Sequence, residues 1–144
     1  EEMENPTMEY FQTPHDLETF LQFTYCIKCG CCMAACPTMA TDKEYLGPAP
    51  LAQAYRYNHD SRDDAGDARR NIVSESHGIF SCHYAGECSN VCPKGVDPAR
   101  AIQLMKKNLV LSYFGLLKHK CTHVHKKPDK SSWKPKIAAP PFTV

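Results

Sequence analysis

The sequence predicts an all-α fold. Apolar residues recur every three or four positions behind helix-start signals, no stretch alternates apolar and polar residues as a strand does, and two evenly phased cysteine runs separate the helical stretches. The runs are CIKCGCCMAACP, from Cys26 to Pro37, and CHYAGECSNVCP, from Cys82 to Pro93. In the first, cysteines stand at offsets 0, 3, 6 and 10 (Cys26, Cys29, Cys32 and Cys36). In the second the same offsets carry Cys82, Ala85, Cys88 and Cys92, so only one thiol is missing, and each run closes on a proline.

That spacing is the bacterial ferredoxin pattern for iron–sulfur clusters, in which the fourth cysteine of each run ligates the other run's cluster. Cys26, Cys29, Cys32 and Cys92 then form a four-thiolate set suited to a 4Fe-4S cluster. Cys36, Cys82 and Cys88 form a three-thiolate set; with Ala85 in place of a fourth ligand, the expected product is a 3Fe-4S cluster. The predicted architecture is an alpha-helical ferredoxin-like domain in which two clusters sit between helix ends in pseudo-twofold arrangement. Structural zinc fits less well, because it needs paired knuckles converging on one tetrahedron. Nine cysteines is an odd count, which disfavours a disulfide framework and points to a reducing compartment.

The helices follow in order. Thr13, Pro14 and Asp16 form a capping-box start, and Leu17, Phe20 and Leu21 follow at helical spacing, so a helix from Pro14 to about Tyr25 delivers Cys26 into the first loop. Gly47 and Pro48 open a second helix carrying Leu51, Ala52, Tyr55 and Arg56, ending near Asp60. The charged segment around Gly66 reads as a turn before a short helix over Ala68–Ser74, broken at Gly78. Asp97 and Pro98 cap a long helix reaching about Leu117, with Ile102, Met105, Leu109 and Phe114 in phase.

With 144 residues the chain has the length of one domain, divided as an N-terminal extension (1–13), the dicluster domain (14–117) and an extended basic tail (118–144). Metal binding is expected to supply much of the folding free energy, leaving the apo chain largely unfolded. A net charge of +1 argues against nucleic acid as a partner. The average hides an asymmetry: residues 1–20 carry Glu1, Glu2, Glu4, Glu9, Asp16 and Glu18 with no Lys or Arg, whereas the tail holds seven lysines against Asp129. Such a tail is solvated, or lies on anionic lipid or an acidic subunit. No stretch is apolar enough to span a membrane, and no signal peptide is visible at the start.

The stretch from about Tyr25 to Lys107 resembles the C-terminal domain of the iron–sulfur subunit of succinate dehydrogenase and fumarate reductase. LGPAPLAQAYRYNHDSRD between the runs and HGIFSCHYAGECSNVCPKGVDPARAI around the second carry the likeness. The resemblance implies 4Fe-4S and 3Fe-4S clusters with the ligands deduced above, and electrons passing between FAD in a flavoprotein subunit and a quinone held at membrane anchor subunits. On matching positions, Pro37, His83 and Lys106 would shape the quinone site. It also implies a peripheral position on the cytoplasmic face of the inner membrane, or on the matrix side in a mitochondrion. Mitochondrial-type members carry a Trp-Trp pair after the first Cys-Pro; this chain reads PTMATDKEYLGP, more like fumarate reductases or prokaryotic enzymes using menaquinone. The family's plant-type 2Fe-2S domain does not fit into residues 1–25, so a separate 2Fe-2S polypeptide is expected if the chain is complete.

A soluble dicluster carrier or adaptor of a heterodisulfide-reductase-like complex is the competing reading, which cysteine at position 85 would have favoured. Cys31, out of phase with the ligands, is expected to be a small buried side chain beside the first cluster. Cys121, among His119, His123 and His125, is a weaker metal candidate in a tail read as solvated or covered by a partner.

Overall fold

Local chain chemistry sets each helix start. The computed structural model describes residues 11–63 and 65–116, and among these it contains seven α-helices, one 3₁₀ turn and no strand. Helix α1 (Pro14–Thr24) opens on the capping box: the Asp16 N–H donates to Thr13 Oγ1 at 3.1 Å and the Thr13 N–H donates to Asp16 Oδ2 at 3.2 Å. Its buried face carries Phe20 and Phe23, and Phe23 meets Tyr55 edge-on with ring centroids 5.1 Å apart.

Three short helices follow the sequence's less periodic parts: α2 (Cys31–Ala34), α3 (Pro37–Thr41) and, later, α6 (Glu87–Asn90). The core is built on α4 (Pro48–Asn58), which buries Leu51, Ala52, Ala54 and Tyr55, and on α7 (Pro98–Tyr113), which buries Ala99, Ala101, Ile102 and Met105. These two helices pack against each other, with α1 and α5 (Gly66–Val73) flanking α4. Both start on a proline at the first helical position, where the missing N–H costs nothing. Asp97 adds a side-chain cap by accepting from the Arg100 N–H at 2.9 Å.

Three boundaries differ from the sequence-based expectation. Helix α7 ends at Tyr113 rather than near Leu117, because Gly115 takes a left-handed φ of 68° and closes a Schellman motif. In it the Gly115 N–H bonds the Ser112 carbonyl and the Leu116 N–H bonds that of Leu111. Helix α5 begins at Gly66, two residues before the expected start, on a turn held by Asp63, which accepts from the Ala65 N–H and pairs with Arg69 at 2.9 Å. Helix α4 ends at Asn58, and the Asp60 carboxylate beyond it accepts from the Arg62 guanidinium. The expected 118–144 tail, including Cys121 and its histidines, lies outside the described residues. Among the described residues no helix is long and apolar enough to cross a membrane.

Candidate metal centres

The two cysteine runs fold as copies of one device. Two residues after the first cysteine of each run the backbone turns left-handed, at Lys28 (φ 56°) and Tyr84 (φ 59°), and two residues later it does so again, at Gly30 and Gly86 (both φ 81°). Glycine suits the second turn, because an L side chain there is strained even though a Cβ would meet nothing within 4 Å. Each glycine then caps a single helical turn, α2 or α6, and the two turns pack on each other. Backbone N–H groups of these turns meet thiols. The Cys31 N–H holds the Cys29 thiol below its ordinary pKa, and in the second copy the Tyr84 N–H donates to Cys82 Sγ at 3.4 Å.

This folding gathers the cysteines into two recesses. Cys26, Cys29, Cys31 and Cys32 line one together with Cys92, and Ala49, Ala52, Val96 and Pro98 stand in its wall beside Lys28 and Lys94. Cys36, Cys82 and Cys88 line the other, with Ala85, Thr38, Tyr45, Pro48, Ala99 and Ile102 around them. The fourth cysteine of each run thus faces the other run's recess. Burial pushes the Cys32 and Cys88 thiols above their ordinary pKa, and nearby cysteines add to the effect: Cys26 and Cys88 around Cys32, Cys82 and Cys36 around Cys88. Metal ligation requires thiolates, so iron would have to displace those protons.

The chemistry of the donor set fits iron–sulfur clusters. Both recesses offer soft sulfur donors on largely apolar walls, and neither is lined by His or Asp; the one carboxylate residue is Glu87 in the second. Among the described residues no three His, Cys, Asp or Glu side chains converge tightly enough to hold a single metal ion. The Tyr45 hydroxyl, in the wall of the second recess, is buried with no hydrogen-bond partner among the described residues.

The other singled-out residues spread around the second recess. Pro37 lines it and is exposed; it starts α3 rather than merely closing the run. His83 is exposed, adjacent in sequence to Cys82, and lines neither recess. Lys106 reaches back from α7, and its ammonium donates to the Cys82 carbonyl at 2.7 Å. Cys31 corrects the expectation of a buried side chain: as the first residue of α2 it is exposed, beside Cys29 in the wall of the first recess, while Cys32, one position on, is buried. Tyr45 and Thr38 also line the second recess, and no sequence signal marks them, since both lie where no periodicity assigns a face.

Residues 22–96 match a family described as "4Fe-4S dicluster domain". The chain belongs to that family. This dicluster chain is 51% identical over 98 residues to the fumarate reductase iron-sulfur subunit of Mycobacterium tuberculosis, an alignment covering 68% of the chain and 40% of the relative. It is 46% identical over 102 residues to the fumarate reductase iron-sulfur subunit of Haemophilus influenzae (71% of the chain, 40% of the relative). It is 47% identical over 85 residues to the mitochondrial succinate dehydrogenase [ubiquinone] iron-sulfur subunit of Candida glabrata (58% and 34%). The likeness expected from the sequence therefore holds for the dicluster domain, and the chain spans about two fifths of the length of the relatives it matches.

Proposed function

We propose that this dicluster chain is the quinone-side part of the electron wire in a succinate:quinone oxidoreductase or quinol:fumarate reductase. The observation that carries the reading is the crosswise sorting of the cysteines: Cys92 joins the first run's thiols, Cys31 among them, in one recess, and Cys36 joins Cys82 and Cys88 in the other, where Ala85 stands at the offset that carries Cys29 in the first run. Cys26, Cys29, Cys32 and Cys92 would hold a 4Fe-4S cluster, and Cys36, Cys82 and Cys88 a 3Fe-4S cluster. When bound, such clusters supply one-electron redox chemistry at potentials set by their surroundings. Cys32, Cys88 and Ala99 pack into one small buried group whose members line both recesses, so the two sites would lie side by side.

Around the second recess Pro37, His83 and Lys106 would shape the quinone site. Lys106 fixes the Cys82 carbonyl and keeps further N–H donors that could meet a quinone oxygen as negative charge develops there. The chain has no flavin or nucleotide fingerprint, so substrate chemistry at FAD is assigned to a flavoprotein subunit. Membrane anchor subunits would hold the quinone, and a 2Fe-2S ferredoxin domain would stand between flavin and this domain. The subunit would lie peripherally on the cytoplasmic face of the inner membrane, or on the matrix side in a mitochondrion.

Iron analysis and electron paramagnetic resonance on anaerobically purified protein test the reading. About seven irons per chain and a 3Fe-4S signal in the oxidised state are expected. Eight irons without that signal would sink the three-thiol assignment, and a colourless zinc protein would sink the whole reading.

A further inference from the structure

Tyr45 is the residue around the second recess that the proposed function leaves unused. It is 3% exposed, and its hydroxyl, the side chain's sole polar atom, has no hydrogen-bond partner among the described residues. The buried guanidinium nitrogens of Arg56 and Arg70 and the Gln103 amide nitrogen also lack partners, but the two arginines carry other N–H donors that are engaged and Gln103 lines neither recess. Burying a lone hydroxyl unpaired forfeits its hydration, so a partner is expected in the space it faces. That space is lined by Cys36, Cys82 and Cys88 together with Thr38, Tyr84 and Glu87, and of these Cys82 stands beside the hydroxyl. A phenol is protonated at neutral pH and is therefore a donor there.

The ring is held firmly. Immediately after Tyr45, the Leu46 N–H donates to the His77 carbonyl at 3.0 Å. His77 in turn lies between Asp42 and Glu44, with Nδ1 3.0 Å from one carboxylate and Nε2 2.9 Å from the other. Gly47 lies so close to Met33 that a Cβ would stand 2.5 Å from its Cε. The loop carrying Tyr45 is thus pinned on both sides of the ring.

We infer that the Tyr45 hydroxyl donates a hydrogen bond to the sulfur face of the second centre, at or beside the Cys82 thiolate, and raises that centre's reduction potential. The inference rests on the cluster reading above. Reduction adds one electron to the centre, and a fixed donor stabilises the more negative form more than the oxidised one. The Tyr84 N–H already donates to Cys82 Sγ, so two donors from different parts of the chain would act on one corner of the site. Tyr45 tunes the centre in this account and exchanges neither electrons nor protons.

The test uses the cluster-loaded chain in its native complex. Tyr45→Phe keeps the ring and removes the oxygen. A redox titration followed by electron paramagnetic resonance should show the 3Fe-4S centre about tenfold less reduced at a given potential, a midpoint ~59 mV lower, with the 4Fe-4S midpoint unchanged. Replacing Tyr45 by 3-fluorotyrosine, a more acidic phenol and stronger donor, should move the midpoint upward and covers the case in which the Phe variant loses its clusters. A 3Fe-4S signal present in both proteins with unmoved midpoints overturns the hydroxyl's role and leaves the cluster reading standing. Absence of that signal from the wild type overturns the cluster reading and this inference with it.

Discussion

Replacing Lys106 with Leu separates the two tasks this side chain has been given. Its ammonium donates to the Cys82 carbonyl at 2.7 Å across 24 residues of chain, tying α7 to the start of the second cysteine run. A hydrogen bond involving a charged group contributes ~1.5–3 kcal/mol when buried, and the half-buried position of Lys106 brings the expectation toward ~1–2 kcal/mol. Leu keeps the apolar stem packed, so the loss falls mainly on the bond and on the carbonyl left without its donor. For a domain of this size, each kcal/mol lowers Tm by roughly 4–8 °C. Bleaching of visible absorbance on heating measures that loss, and Lys106→Arg should recover most of it. Quinone turnover per intact 3Fe-4S centre should also fall while flavin-linked dye reduction persists. An unchanged Tm would refute the structural tie. Quinone and dye activities that fall equally, or quinone turnover that is unchanged per intact centre, would refute the quinone contact.

Three further outcomes follow. Ile102 is fully buried in the core and also lines the second recess, so Ile102→Ala should cost about 2–5 kcal/mol and loosen that recess before the first; equal retention of both clusters on heating would argue against a shared wall. The hydrogen bond with Asp42 raises the His77 pKa and lowers that of Asp42, and both groups are at the surface. The support from His77 is therefore present below its ordinary value of about 6.5 and lost as pH rises through its higher folded value; that from Asp42 is present above about 3.8 and lost as pH falls through its lower folded value. In scans of Tm against pH, His77→Gln should flatten the decline above about pH 6.5, and parallel curves would count against the clamp. Ala85→Cys places a thiol at the vacant position of the three-thiol recess and should convert the second centre to 4Fe-4S, silencing the oxidised-state signal and lowering the potential; retention of that signal would mean position 85 does not reach the cluster.

The sequence was most legible where one residue type has one physical use. Thr13 with Asp16, Asp97 with Pro98, and Gly47 with Pro48 each mark a helix start, and all three helices begin there. The cysteine runs mark the two recesses, because a loop that wraps several thiols around one space tolerates few spacings; Cys92 lines the recess of the first run and Cys36 that of the second. Helices α2 and α6 were not foreseen because four residues are too few to show a period; their signal was the glycine at the same place in both runs. The end of α7 was written in Gly115, outweighed in the reading by Phe114, which fitted the apolar phase but is exposed. Tyr45 was hidden for a different reason. It sits in a loop between α3 and α4, where neither period nor spacing assigns a face, and only the packing of Leu46 on His77 and Gly47 on Met33 turns its ring inward. Covalent spacing along the chain thus groups the thiols, whereas the other side chains that wall each recess are brought in from elsewhere by tertiary packing.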